Sequence, residues 1–212
     1  MQQNRYLLVE FFLLFILLPI SFAYDYSFYL KGALTLIGFG YIIYILLKVE
    51  GISFRTTIEK KWGRFFKRIV IQFTVIALLT TLFVWYEDKS ALFFVPKTNL
   101  LLFVIILGVY TFLSVWPQEL IYRTFFFSRY EKLFQSKSLF IFINAIVFSL
   151  AHIFFRNTLV LILTFIGGIL FGITFFRTRS TLLVSIEHAL YGNWLFTVGM
   201  GQMLAFPGME TP

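Results

Sequence analysis

The chain contains no cysteine. That excludes disulfides, thiolate catalysis and cysteine-based metal centres. Charge is also scarce: Asp, Glu, Lys and Arg fill only 13% of the 212 positions, with ten acidic residues and two histidines. A soluble globular domain carries about 25% charged residues, so this chain lacks the polar surface such a domain needs. No repeat, low-complexity tract or linker interrupts it. What is present is apolar. Hydrophobic residues make up 59% of the chain and phenylalanine alone contributes 30. Long apolar runs of this kind read as membrane spans.

Seven apolar segments are predicted: Tyr6–Ala23, Phe28–Leu47, Ile69–Trp85, Leu100–Trp116, Leu139–Phe155, Thr158–Phe176 and Thr181–Gly199. Each approaches the ~20 residues that carry a helix across ~30 Å of hydrocarbon. The fold class is therefore all-α, a polytopic helix bundle with about seven crossings and one integral-membrane domain over residues 1–212. The net charge of +8 has a simple source. Lys48, Arg55, Lys60, Lys61, Arg64, Lys67 and Arg68 crowd one loop, Arg129, Lys132 and Lys137 a second, and Arg177 and Arg179 a third. The intervening turns hold Asp25, Glu87 and Asp88 with fewer bases. This alternation fits the positive-inside rule rather than nucleic-acid binding. It puts the N-terminus in the cytoplasm and the chain in the inner (plasma) membrane; a small cysteine-free membrane protein of this kind fits a bacterial source. The stretch Phe54–Lys67 reads either as an amphipathic surface helix or as a solvated basic loop. Ser21-Phe22-Ala23 resembles a cleavage site that would make the first segment a signal peptide, against which Glu10 stands in the apolar run. Gly168-Ile169-Leu170-Phe171-Gly172 reads as a close-packing helix face.

Both histidines fall in three short signatures, together with two of the acidic residues: Gln118-Glu119-Leu120-Ile121-Tyr122-Arg123, Phe148-Ser149-Leu150-Ala151-His152, and Glu187-His188-Ala189-Leu190-Tyr191-Gly192-Asn193. An ionisable side chain in hydrocarbon costs roughly 2.5–3.5 kcal/mol on insertion scales, so such residues face protein or a wet cavity and mark function. Singly, each has a bland reading: a packing histidine, a structural ion pair, an asparagine that glues helices. Jointly they point to a membrane-embedded active site.

Helical rise lets the signatures meet. Nothing from Gln118 to Phe134 breaks a helix, so the fourth segment is predicted to continue past Pro117. From Glu119 to Phe134 is about 22 Å of rise, and from Ser138 back to His152 about 21 Å. The two side chains come level if the chain turns near Gln135–Lys137. His188 lies roughly 12 Å up the seventh helix, and the remaining mismatch of about 10 Å closes if the long helices project past the inner surface. Glu119 and Arg123 are i, i+4 neighbours on one face. Asn144 at i−8 from His152 shares its predicted polar face.

At these residues the chain resembles the CPBP intramembrane proteases, also called the CAAX-protease or Abi family. The family pattern is Glu-Glu-x-x-x-Arg, then Phe-x-x-x-His, then His-x-x-x-Asn, and the likeness spans about Leu100 to Gly199. The resemblance implies an intramembrane endopeptidase. Glu119 and His152 would activate water, Arg123 would restrain Glu119, and His188 with Asn193 would stabilise the oxyanion. Two positions depart from the pattern. The first Glu is Gln118, whose amide cannot act as a general base. Gly192 stands four residues after His188, with Asn193 one place later, a turn of about 100° on a regular helix.

Three readings follow. Glu119 serves as the base with His152; Glu187 supplies the missing carboxylate; or the chain is a catalytically inactive pseudoprotease that acts as a membrane regulator or binder. A proton-coupled transporter is a further alternative, weakened by the lack of an inverted repeat. No cofactor is fixed by the sequence, and metal dependence stays open. Even so, His152, His188 and Glu119 would suffice as a three-ligand zinc set with an open position. The partners implied are the lipid bilayer and a membrane-bound or lipidated peptide substrate, with no nucleic acid. Oligomeric state, the physiological substrate and its cleavage site leave no mark in the sequence.

Overall fold

A computed structural model describes residues 2–52 and 62–204. Among them the regular structure is helical. The principal helices are α1 (Asn4–Ser21), α2 (Phe28–Lys48), α3 (Trp62–Glu87), α4 (Leu100–Leu133), α5 (Lys137–Leu150), α6 (Thr158–Thr178) and α7 (Thr181–Val198). Among the described residues six helices, those containing α1 to α6, are long and apolar enough to cross a membrane. The chain is a multi-pass membrane protein. The seventh expected span does form a helix, α7, but Glu187, His188 and Asn193 make it less apolar than the other six. The surface suits lipid: Leu36, Ile37, Leu101 and Leu113 are each 70–73% exposed, a pattern that soluble monomers avoid.

Several boundaries differ from the sequence reading. Of the surface segment expected over Phe54–Lys67, residues up to 61 lie outside the described residues. From Trp62 onward the chain is already helix, and it runs unbroken to Glu87. The fourth segment passes Pro117 as expected and reaches Leu133, 34 residues in all. At ~1.5 Å per residue it measures about 51 Å, well over the ~30 Å hydrocarbon core. Helix α5 stops at Leu150, so His152 lies just past its end and not on its last turn. The chain must reverse there: Arg156 adopts a left-handed φ of 52° and Asn157 caps α6 by accepting from the Val160 N–H at 3.2 Å.

The described residues group into two compact units, Met1–Arg55 with Gln118–Thr181, and Thr56–Pro117 with Leu182–Pro212. The first is built on aromatic packing, which explains the wealth of phenylalanine. Phe15, Phe125, Phe126, Phe127, Tyr130 and Phe140 are buried. Phe15 meets Phe126 edge to face at 5.1 Å, and Phe127 meets Phe140 at 4.8 Å. Such pairs contribute about 0.5–1.5 kcal/mol each beyond area burial. Helices α5 and α6 lie in backbone contact: a Cβ at Gly168 would come within 2.8 Å of the Ala145 Cα. The GxxxG face is thus a packing surface.

Glu10, which the sequence left without a partner, is buried in this unit. Arg129 grips it with two bonds, Nε to Oε1 at 2.9 Å and Nη2 to Oε2 at 3.1 Å. The Tyr130 and Tyr41 hydroxyls also donate to it, at 2.8 and 2.5 Å. The remaining Arg129 nitrogen reaches Glu50 at 3.0 Å. One carboxylate therefore ties α1 to α2 and α4. At the end of α6, Arg179 pairs with Glu131 through two bonds of 2.6 and 2.7 Å. That carboxylate holds the guanidinium above its ordinary range.

In the second unit α7 is laced to α3. Trp194 Nε1 donates to Thr80 Oγ1 at 2.9 Å, and its ring meets Phe73 at 5.5 Å. Just past α7, Gly199 adopts φ +110°. A Cβ there would overlap the Ala91 carbonyl, so both conformation and space require glycine.

Candidate active site

The first signature lies on α4 where that helix is least regular. Wide π turns at Tyr110–Val115 and Leu120–Phe125 bracket one α turn, Trp116–Glu119. Pro117 gives the reason. Its ring crowds the carbonyl four residues back and it has no N–H to donate; a wider turn just before it relieves both. π turns recur at functional sites because they re-aim side chains.

In the first unit Glu119 and Arg123 are wholly buried. Arg123 Nε lies 3.4 Å from Glu119 Oε2. Arg123 Nη1 donates to Asn144 Oδ1 at 3.0 Å and to the Tyr122 carbonyl at 3.3 Å. Asn144, also buried, donates through Nδ2 to the Tyr122 carbonyl at 2.7 Å. The guanidinium carbon stands 4.7 Å from the Phe148 ring centre and 5.7 Å from that of Phe171. Cation–π contact and charge-assisted hydrogen bonds thus make a buried charge tolerable.

The same Phe148 carries the histidine. Its ring lies 4.9 Å from that of His152, and His152 Nδ1 is 2.7 Å from the Phe148 carbonyl oxygen. A carbonyl only accepts, so Nδ1 bears the hydrogen. In the neutral ring the lone pair is then on Nε2, the tautomer of a hydrogen-bond acceptor or base. Glu119, Arg123, Asn144 and His152 are joined by these contacts, and half-buried Gln118 directly precedes Glu119. Asn144 belongs to the arginine's surroundings, a role that its spacing from His152 did not reveal.

The third signature lies in the second unit. His188 is buried and meets the edge of Tyr110 at 6.0 Å. Its neighbour Glu187, wholly buried, pairs with Arg68 Nη2 at 3.7 Å. Tyr191, one turn on, is 3.3 Å from Glu187 Oε1 and 3.2 Å from Gln72 Oε1, and its hydroxyl is the donor. Asn193 gives its amide N–H to Thr111 at 3.0 Å. Sequence reasoning missed Tyr110, Thr111 and Arg68. The one available clue was Gly192, an empty position one turn after a histidine. The zinc set drawn from Glu119, His152 and His188 takes two members from one unit and one from the other. Within either unit, no three His, Asp or Glu side chains among the described residues are grouped to hold an ion.

In the first unit a buried carboxylate–guanidinium pair is thus linked through the Phe148 ring to the His152 imidazole. Residues 98–195 match the family of Rce1-like type II CAAX prenyl endopeptidases. The match covers just under half of the chain and supports the likeness to the CAAX-protease (CPBP) family read from the three signatures. No curated protein and no solved structure matches the chain.

Proposed function

We propose that the chain is an intramembrane endopeptidase of the CAAX-protease type, cutting a membrane-bound or lipidated peptide in the plasma membrane. The observation that carries this reading is the buried Glu119–Arg123 pair, joined through Asn144 and Phe148 to His152 inside the family-matched segment. Glu119 accepts a proton from water while His152 Nε2 orients that water. The resulting hydroxide adds to the scissile carbonyl carbon. Collapse breaks the C–N bond, and Glu119 returns its proton to the departing amine, leaving a new carboxylate and a new amino terminus. Arg123 fixes the carboxylate without taking part in the transfer. Gln118 cannot be the base, since its amide is essentially non-basic and takes up no proton at neutral pH. By the family resemblance alone, His188 is the counterpart of the histidine that stabilises the developing oxyanion, where one donor is typically worth ~3–4 kcal/mol.

The test is purified protein in lipid vesicles with a panel of fluorogenic lipidated and transmembrane peptides. Glu119→Ala and His152→Ala should each abolish cleavage, and chelation should leave the wild type active. Undiminished cleavage by both variants would remove the mechanism. Activity lost to chelation and restored by zinc would move the chain to the metal-dependent reading. A wild type that cleaves nothing, with a cellular phenotype that survives Glu119→Ala, would favour the inactive regulator that Gln118 suggests.

A further inference from the structure

The first unit has two chemically different ends. One carries Lys48, Arg129, Lys132, Lys137, Arg177 and Arg179. Contacts gather these residues at a single end: Arg129 reaches Glu50 at 3.0 Å, Arg179 pairs with Glu131 at 2.6 Å, and Lys137 lies over the Phe176 ring at 5.4 Å. At the other end the turn after α5 meets the turn after α1. Arg156 Nη2 donates to the Ala23 carbonyl at 2.8 Å and to Asp25 Oδ1 at 2.7 Å. Lys31 Nζ donates to the Phe22 carbonyl at 2.8 Å. Tyr24, Phe28 and Tyr29 are 68%, 82% and 87% exposed there, and aromatic side chains of this kind collect at the headgroup level of a membrane.

His152 belongs to the Arg156 end. The 14 residues of α5 put about 21 Å of rise between the basic end and the histidine. From His152 to Arg156 the chain runs through the tight turn Ile153–Phe155, only about 8 Å at ~2.0 Å per residue. Helix α6 has 21 residues, about 31 Å of rise against the ~30 Å hydrocarbon core, so its two turns mark the two membrane surfaces. The histidine therefore lies shallow beneath the surface that carries Arg156 and Asp25. It is fixed there: the Phe155 ring stacks on it at 6.0 Å, and Ser149 Oγ donates to the Leu161 carbonyl at 2.8 Å, joining the end of α5 to α6 across the turn. Glu119 lies at the same depth. Helix α4 descends as α5 rises, and Arg123 stands against the Phe148 ring at 4.7 Å. Glu119 is one turn up from Arg123, as His152 is one turn up from Phe148.

Lys and Arg mark the cytoplasmic side of a membrane protein. The basic end is then inside and the Arg156–Asp25 end outside. We propose that the Glu119–His152 site opens to the extracytoplasmic side and acts on a peptide held in the outer leaflet by a lipid chain or a membrane segment. The proposal deepens the endopeptidase reading and rests on it. A shallow site also meets the demand of the chemistry, since each cleavage consumes a water and the hydrocarbon core supplies none.

The experiment uses the full-length protein in bacterial membranes, as sealed spheroplasts and as sealed inverted vesicles. The probe is a fluorogenic palmitoylated peptide with a charged, membrane-impermeant head, chosen from those that the wild type cleaves in detergent. Spheroplasts should cleave it, and inverted vesicles should do so only after detergent opens them. Cleavage by sealed inverted vesicles, whether alone or as fast as by spheroplasts, would overturn the assignment. A second readout is independent of activity. Thr158→Cys, exposed at the start of α6, should be labelled by an impermeant thiol reagent in spheroplasts alone; labelling in inverted vesicles alone would put the histidine turn inside and overturn the assignment equally. Failure of the underlying reading looks different: cleavage would then persist in Glu119→Ala.

Discussion

Arg123 makes three kinds of contact at once: an ion pair with Glu119, hydrogen bonds to Asn144 and the Tyr122 carbonyl, and stacking on Phe148 and Phe171. A lysine offers one point charge and no planar face, so Arg123→Lys should not substitute for it. Arg123→Ala strands the Glu119 carboxylate in the interior, where removing one partner of a buried pair costs about 3–5 kcal/mol. A marked drop in the unfolding temperature in detergent is expected, together with loss of cleavage. An unchanged transition would mean that Glu119 is not held charged against Arg123. The pairing was legible because both residues lie one turn apart on a single helix. The Asn144 and Phe148 contacts were not, since they join α4 to a helix that folds back against it.

At the scale of the element, α1 and α4 show what local pattern can and cannot say. The sequence left α1 between a signal peptide and a span, with Glu10 its one odd residue. In the fold that residue is the fastening point for Arg129, Tyr130 and Tyr41. Glu10→Ala leaves the Arg129 charge half-buried with Glu50 as its remaining acceptor. It should destabilise the protein by about 3–5 kcal/mol and expose the first helix to limited proteolysis. Equal protease resistance in variant and wild type would refute that role. The partners are 119 positions apart, and no periodicity links residues so distant. For α4, continuation past Pro117 could be read from the absence of breakers. The two π turns that flank the proline's turn could not, since they depend on backbone hydrogen bonds rather than on composition.

For the whole molecule, the absence of cysteine makes orientation directly measurable. Single substitutions Gln135→Cys and Tyr24→Cys introduce the only thiols, at exposed turns after α4 and α1. With the basic loops inside, Gln135→Cys should be labelled by a membrane-impermeant reagent only from the cytoplasmic side, and Tyr24→Cys only from outside. The reverse pattern would invert the topology drawn from charge.

Composition and spacing by themselves determined the solvent, the helical class and which residues are too polar for lipid. Hydrophobicity is additive along the chain and helical periodicity is local, so both survive in one dimension. Only the tertiary structure decided which group meets which: Glu10 with Arg129, Glu187 with Arg68, Asn193 with Thr111, and the Tyr110 hydroxyl on the surface of Gly192. The reason is that an ion pair or a close backbone approach depends on distance in space, and chain separation does not encode that distance.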